Sequence, residues 1–249
     1  MSDITLLLSL VVAHVLADFF LQPTSWVQAR ASKHWRAVAL YYHSFLHFGL
    51  TLAVLLLWHS VSWSTLSPLV LMGWALLIAC SHGVIDLAKS YRQGLRYFLL
   101  DQLVHLLVIA LVWLALTNTS LSALLAQAQN TVSPSVLMVV LAYLLVLKPA
   151  SVVIGFMLSS MASPASGTDA GMPAAGHWIG MTERVLMLSL ILVGQYAAVG
   201  FVVAAKSVLR YNDLRNANDR ALTEYILLGT LLSLGFTLLL GIGVAQLIS

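Results

Sequence analysis

LVVAHVLADFFLQ, residues 10–22, places a histidine and an aspartate four positions apart inside an apolar run. Three more stretches repeat this spacing of ionisable side chains: HSFLH at 43–47, HGVID at 82–86 and DQLVH at 101–105. Residues four apart share one face of an α-helix, so each pair can point at a common centre. Ionisable groups are costly in lipid and usually face the interior of a helix bundle. We therefore predict four membrane helices that surround one polar site.

The composition is typical of a polytopic membrane protein. Of the 249 residues, 60% are hydrophobic and 8% are charged, with a mean hydropathy of +0.94, whereas a soluble domain is about 25% charged. The net charge of +3 comes mostly from short loops, which favours contact with membrane lipids and not with nucleic acid. Cys80 is the only cysteine, which excludes an internal disulfide and a cysteine-based zinc site. The first apolar segment lacks a basic leader, and we expect it to be retained as an anchor.

Apolar runs of about 18 residues or more predict an all-α fold, a polytopic transmembrane helix bundle with six or seven spans. Residues 1–117 are predicted to form a four-helix membrane bundle that carries the histidine and aspartate pairs. Residues 118–249 are predicted to form the C-terminal membrane helices, with a flexible loop at about 162–180. Residues 23–36 are predicted to be amphipathic and interfacial. The predicted spans are 4–21, 37–58, 66–88, 97–117, 134–161, 185–205 and 225–247.

Lysine and arginine in short loops predict which ends of the spans face the cytoplasm. Basic residues cluster within 30–36 and within 89–96, which places the N-terminus outside the cytoplasm. Basic residues also mark the segment 206–224 as cytoplasmic. Single spans at 134–161 and 185–205 would put that segment outside. A break of the fifth span at Lys148-Pro149 into a re-entrant or interfacial pair would remove the conflict.

The depth of the four pairs predicts a shared metal site near the cytoplasmic surface. The aspartates lie about one turn from the cytoplasmic ends of their helices, and the histidines lie about two turns in. Imidazole and carboxylate together suit zinc or iron among the divalent metals, and such sites in bundles commonly hold two ions. We expect one or two ions. The candidate metal ligands are His14, His43, His47, His82, His105, Asp18, Asp86 and Asp101.

The three aspartates are also the candidate catalytic residues. Asp18, Asp86 and Asp101 could bind the metal, act as general base, or fix the histidine tautomers by hydrogen bonds. Structural packing of the polar pairs and a proton relay are the other interpretations of the cluster.

Further polar residues are candidates for substrate binding. Those beside the cluster are Gln22, Lys89 and Gln102, and those near the C-terminus are Arg184, Lys206 and Arg210. The last three could form a clamp for an anionic substrate or a lipid phosphate. Lys89 could instead be an interfacial anchor whose stem lies along apolar surface, and the glutamines could be plain hydrogen-bonding groups. Gln195, near the middle of the predicted sixth span, could join helices by a hydrogen bond.

The motifs together resemble a bacterial membrane family, domain-of-unknown-function family 3307. The resemblance is carried by HVLADFFLQ at 14–22, HSFLH, HGVIDLAK at 82–89 and DQLVH, while 183–210 and 224–233 resemble the C-terminal half of many members. The family supplies no activity. The resemblance implies a multi-pass protein of the bacterial inner (cytoplasmic) membrane. It also implies that the family pattern consists of His14, Asp18, His82, Asp86, Asp101 and His105.

From the residues we predict a membrane-embedded metal-dependent enzyme, a hydrolase acting on a lipid or lipid-linked substrate at the cytoplasmic leaflet. The first alternative is a divalent metal-ion transporter that uses the same cluster; it would need polar groups that continue toward the outer leaflet. The second is a non-enzymatic membrane scaffold or sensor, which would carry no stoichiometric metal. The expected partners are membrane lipids and the lipid-like substrate, and assembly into a homo-oligomer is left open.

Overall fold

The protein is described by a computed structural model over residues 3–62, 66–117, 133–159, 175–216 and 220–248, without the side chains of 209–222. Within these ranges the chain contains nine α-helices and no strand. Six helical segments of the described chain are long and apolar enough to cross a membrane. The predicted all-α, membrane-spanning fold is therefore confirmed. The chain divides into two compact units, Met1–Leu141 and Ala142–Ser249.

The N-terminal unit contains four spanning segments and one short helix. Two helix boundaries follow directly from the sequence. Pro23 has an extended backbone just before α2 begins. At the beginning of α4, the Ser67 hydroxyl caps the helix and Pro68 occupies its first position. The helix α1 packs on α3 and α5, and α4 packs on α3 and α5. The elements are α1 Asp3–Val15 with a π-helical turn Leu16–Phe20, α2 Thr24–Lys33, a 3-10 turn His34–Arg36, α3 Val38–Ser62, α4 Pro68–Ser90 and α5 Leu95–Thr117.

The interior of this unit has an apolar half and a polar half. The apolar half lies where α1 and α4 begin and where α3 and α5 end. Trp113 donates a hydrogen bond from Nε1 to the carbonyl oxygen of Asp3 at 2.6 Å, which joins the last turns of α5 to the beginning of α1 in this half. At the opposite ends of the same helices lie the histidines and aspartates. The buried apolar residues are Leu6, Leu10, Leu55, Trp58, Leu71, Ala75, Ile109 and Trp113.

The short helix α2 lies on the polar half, within the segment predicted to be amphipathic and interfacial. It packs on α3 and α4, and its buried residue is Arg30. Just after its end, His34 Nδ1 lies 2.9 Å from the Ser90 hydroxyl, and the His34 ring stacks on Tyr91 at 4.0 Å. These contacts fasten the end of α2 to the end of α4.

The C-terminal unit is built from four helices. The long helix α6, Ser133–Ser159, enters this unit at Ala142 and runs without interruption through Pro149. The predicted break at Lys148-Pro149 is therefore wrong. The helix α7, Ala175–Leu192, packs on α8, Tyr196–Asn216, and on α9, Arg220–Ile248. Of the loop predicted at 162–180, positions up to 174 lie outside the described residues, and the rest are helical.

The predicted sixth span, 185–205, is two helices joined at Gly194. Gly194 has φ +73° and donates its N–H to the Ile191 carbonyl, while the Gln195 N–H reaches the Leu190 carbonyl. This pattern is the Schellman motif, in which glycine ends a helix in the left-handed region. Gln195 is exposed in the turn, so its predicted place in mid-span is wrong. The α7–α8 hairpin can return the chain to the side from which it came, which removes the conflict over segment 206–224.

The Gly194 turn predicts opposite effects for two glycine substitutions. Gly194→Ala is expected to lower the free energy of unfolding by about 1 kcal/mol, because a Cβ disfavours positive φ. Gly200→Ala, six positions along in α8, is expected to raise it by up to about 1 kcal/mol, because that glycine is helical and has open space around it. Unfolding curves in detergent would measure both, and equal shifts would contradict the assigned turn.

Candidate metal centre

The four histidine and aspartate pairs meet in the polar half of the N-terminal unit. They come from the ends of α1 and α4 and the beginnings of α3 and α5, which lie side by side. The i,i+4 spacing turns both members of each pair inward. The five histidines are at most 3% exposed, Asp86 and Asp101 are 4% exposed, and the Asp18 side chain is 10% exposed. The structure therefore brings together all eight residues that the spacing singled out: His14, His43, His47, His82, His105, Asp18, Asp86 and Asp101.

The Asp18 carboxylate lies at the centre of the cluster. Its Oδ1 is 2.9 Å from His47 Nε2 and 3.3 Å from His43 Nε2. The same oxygen is 3.5 Å from His82 Nε2, and Oδ2 is 3.7 Å from His14 Nε2. Asp18 lies in the π-helical turn, a local widening that often occurs at functional sites. One carboxylate is thus surrounded by four imidazoles from three helices.

The histidine rings form a continuous array. His82 stacks between His47, at 3.6 Å between ring centroids, and His105, at 3.9 Å. His14 lies 5.3 to 5.6 Å from these three rings. His43 Nε2 is 3.1 Å from His82 Nε2, a contact that requires one nitrogen to donate and the other to accept. The Nε2 atoms consequently converge on a small volume.

Two permanent cations neutralise the outer aspartates. Arg30, from α2, forms an ion pair with Asp86, and Lys89 Nζ lies 2.8 Å from Asp101 Oδ2. Burial lowers the pKa of the Arg30 guanidinium, and the neighbouring carboxylates of Asp18 and Asp101 oppose that shift. Within 4.0 Å, the ion-pair partners of Asp18 in the described chain are histidines only.

Arg30 is the member of the cluster that the sequence analysis missed. It appeared there only as one of three loop cations that mark the cytoplasmic side. Its partner Asp86 lies on another helix, far along the chain, so no local spacing reveals the pair. The signal that existed was weak: an arginine that begins a short basic run in the segment next to the cluster.

Gln102 positions two of the carboxylates. Its Nε2 donates to Asp18 Oδ2 at 2.9 Å and lies 3.3 Å from Asp101 Oδ2. Gln22 is different, since its Nε2 is buried and has no hydrogen-bond partner among the described residues. The first glutamine therefore holds the cluster together, and the second has an amide group still available for a ligand.

Several buried atoms of the cluster have no hydrogen bond within the described part of the chain. They include His14 Nε2, which lies 3.7 Å from Asp18 Oδ2, and the atoms His105 Nε2 and Asp101 Oδ1, which lie 3.4 Å apart without a well-formed hydrogen bond. A buried polar atom without a partner costs about 1–3 kcal/mol, so in folded proteins such atoms usually meet a water or an ion. Atoms of this kind, facing a cluster of imidazoles and carboxylates, fit a metal ion.

Three sets of ligand atoms lie close enough together to hold an ion, with all atoms of a set within 4.8 Å of one another. The first and second sets share His82, and the second and third share Asp86, so only the first and third can be filled independently. The third set contains both aspartates that Arg30 and Lys89 already neutralise, so the first set fits an ion best. The sets are His14, Asp18, His47 and His82; His43, His82 and Asp86; and Asp86, Asp101 and His105.

Comparison with known sequences assigns the family. Residues 6–133 of the 249 match the family described as Protein of unknown function (DUF3307). The chain belongs to this family. The match contains the whole cluster, so the resemblance drawn from the motifs is confirmed, whereas the likeness over 183–210 and 224–233 lies beyond the matched residues. No curated protein and no solved structure matches the chain.

The other predicted substrate residues lie in the C-terminal unit, beyond the residues matched to DUF3307. Arg184 is buried on α7, and Lys206 on α8 forms an ion pair with Glu183. Arg210 belongs to α8, but its side chain lies outside the described part of the structure. Arg184 and Lys206 line one cavity in this unit.

Proposed function

We propose that this protein is a membrane-embedded, metal-dependent hydrolase that acts on a lipid or lipid-linked substrate at the cytoplasmic leaflet. The observation that carries the proposal is the convergence of three imidazoles and a carboxylate, from His14, His47, His82 and Asp18, in a buried polar pocket of a membrane bundle. Histidine and carboxylate ligands in this number are typical of zinc and iron sites.

The charges of the cluster favour one divalent ion. With neutral imidazoles, the three aspartates exceed Arg30 and Lys89 by one negative charge. A divalent ion together with one hydroxide would bring the cluster to neutrality. A second ion would leave excess positive charge in a setting of low dielectric, which is costly. It would also have to compete with Arg30 and Lys89 for Asp86 and Asp101.

The residues around the first ligand set divide the remaining tasks. A bound divalent ion supplies a hydroxide nucleophile at neutral pH and polarises the scissile group. Gln102 holds the Asp18 carboxylate in place, and His43 contacts both Asp18 and His82. Asp101, whose Oδ1 lies 3.4 Å from His105 Nε2 and whose Oδ2 is held by Lys89, is the candidate proton acceptor. Lys89 is 27% exposed and can meet an anionic headgroup.

An apolar groove between α3 and α4 supports a substrate with a hydrocarbon chain. The groove has a volume of about 570 Å³ and lies in the same half of the two helices as the cluster. In a bilayer its outward-facing side chains lie in the hydrocarbon region, where an acyl chain is the occupant of matching chemistry. Ser44 and Gly83, which line it, directly follow His43 and His82. The apolar lining includes Leu40, Tyr41, Phe45, Phe48, Leu76 and Val84.

A metal-ion transporter is less well supported. Transport needs a polar path to the far face, but beyond the histidines the unit is filled by the apolar half that contains Leu55, Trp58 and Trp113. Metal uptake into proteoliposomes that His82→Ala abolishes would reverse this preference. A scaffold or sensor predicts that Asp86→Ala leaves function intact and that no metal copurifies.

The proposed activity predicts a metal-dependent release of product. Protein in nanodiscs of a cell lipid extract is expected to hydrolyse a lipid component, to stop after chelation and to resume when zinc or iron is returned. Mass spectrometry of the lipids would measure the product. Asp18→Asn is expected to lower the rate at least about a hundredfold, because it removes a ligand charge, whereas Asp3→Asn at the far end of α1 is expected to be neutral. Hydrolysis that survives chelation, or that Asp18→Asn leaves intact, would refute the proposal.

A further inference from the structure

The C-terminal unit contains a polar cavity that is separate from the histidine and aspartate cluster. It has a volume of about 570 Å³ and is lined by residues of α6, α7, α8 and α9. Four glycines in the lining bring backbone close to the cavity. The polar side chains that matter here are Ser151, Glu183, Arg184, Lys206, Thr230 and Ser233. A cavity with two cations and several hydroxyl groups is unusual in an apolar helical unit.

Arg184 is the buried cation of this cavity and is 4% exposed. Its Nε donates to the Val146 carbonyl oxygen, and Nη2 donates to the Leu147 carbonyl oxygen at 3.1 Å and to Ser151 Oγ at 2.5 Å. Nη1 makes one long bond, 3.3 Å, to Ser233 Oγ. A guanidinium has five N–H donors, so one N–H of Nη1 has no acceptor among the described residues.

The charges of the cavity do not balance. All the hydrogen-bond acceptors of Arg184 given by the described residues are neutral. The neighbouring carboxylate, Glu183, forms its ion pair with Lys206 instead. Arg184, Lys206 and Glu183 therefore leave one excess positive charge. A buried cation whose hydrogen bonds go only to neutral groups is costly, and a bound anion would lower that cost.

Gly180 leaves space beside the Arg184 guanidinium. A Cβ at this position would lie 3.3 Å from Arg184 Nη1, the same nitrogen that has the unused donor. The absence of a side chain at Gly180 thus leaves space beside the available N–H. The Ser233 hydroxyl, which accepts from Nη1, adds a donor at the same place. The Ser151 hydroxyl accepts from Nη2 and itself donates to the Leu147 carbonyl oxygen at 3.0 Å.

We propose that this cavity is a second ligand site, one that binds a phosphate-bearing anion. A guanidinium, an ammonium and the Ser233 hydroxyl around one volume match the several oxygens of a phosphate group. The same chemistry is presented by inorganic phosphate and by the headgroup of an anionic phospholipid. The site lies in the C-terminal unit and does not depend on the metal centre.

The test uses the full chain in detergent. Isothermal titration with inorganic phosphate is the first arm, and native mass spectrometry in mixed micelles with phosphatidylglycerol or phosphatidylcholine is the second. Saturable binding in the first arm identifies a soluble phosphate. Retention of phosphatidylglycerol over phosphatidylcholine, without binding of inorganic phosphate, identifies a lipid headgroup. Either result supports the site, and binding of neither probe overturns it.

Two substitutions separate a ligand site from a structural arginine, because neither touches the hydrogen bonds of Arg184. Lys206→Gln is expected to weaken binding about tenfold or more, since it removes a charge-assisted contact. Glu183→Gln is expected to strengthen binding by a similar factor, since it releases Lys206. The control is Arg96→Gln, which removes an exposed cation of the N-terminal unit. The proposal would be overturned if Lys206→Gln, Glu183→Gln and Arg96→Gln all bound the phosphate probe with the same affinity. The metal content of every variant is expected to remain that of the wild type.

Discussion

Wild-type protein purified without chelators is expected to carry about one zinc or iron ion per chain, and His47→Ala is expected to lose nearly all of it. His47 belongs to the ligand set that contains no residue held by Arg30 or Lys89, and its Nε2 lies 2.9 Å from the central Asp18 carboxylate. Removal of one of four ligands takes away part of the binding free energy, and the ion is then expected to dissociate during purification. Metal content per chain by plasma mass spectrometry is the measurement.

Two other histidines are the comparison for His47→Ala. His105→Ala removes a ring of the third ligand set, and since that set is expected to be empty, most of the ion should remain. His59→Ala changes a histidine of the same helix α3 that lies outside the three sets and is expected to have no effect. Less than about half an ion per wild-type chain would count against the metal centre. Loss from His105→Ala equal to the loss from His47→Ala would point to two coupled ions.

Arg30→Gln is expected to be the most destabilising change on α2. It leaves the Asp86 carboxylate, 4% exposed, without its cation. Breaking a buried ion pair from one side costs about 3–5 kcal/mol. For metal-free protein, unfolding in mixed micelles with increasing SDS should show that the free energy of unfolding falls by this amount. Added metal should recover part of the loss, because the freed carboxylate becomes available to an ion.

The double variant Arg30→Gln with Asp86→Asn tests the cause of that loss. Since the second change removes the stranded charge, the double variant should be less destabilised than the sum of the two single variants. Lys33→Gln is the matched control: it removes an exposed cation three positions further along α2 and should cost less than about 0.5 kcal/mol. Additive losses would show that Arg30 and Asp86 do not act as a pair.

The candidate site was largely predictable because its information is local. A helix turns residues four apart to one face, so His14 with Asp18 and His82 with Asp86 could be placed from sequence alone. The order of the pairs then indicated their common depth. What the spacing could not give was the central place of Asp18, since a π-helical turn alters its direction on α1.

The parts that escaped prediction depend on contacts between distant segments or on a single residue. Arg30 reaches Asp86 only after α2 folds onto α3 and α4. In the C-terminal unit, hydropathy predicted a single helix over 185–205, whereas the turn at Gly194 divides this range into two helices. A short turn inside an apolar run hardly changes the mean hydropathy, so the pattern does not reveal it. Conversely, Pro149 suggested a break that α6 does not have. A proline inside a membrane helix removes one backbone hydrogen bond, here the one to the Leu145 carbonyl oxygen, and such prolines are tolerated in membrane helices.

The turn at Gly194 also bears on the membrane topology of the chain. If α7 and α8 form a re-entrant hairpin, only the six long apolar segments of the described chain cross the bilayer. An even number of crossings brings the two ends of the polypeptide to the same face. The charges of the loops predict that this face is the one opposite the cytoplasm, so we expect a tag at either end of the sequence to be reachable from that side.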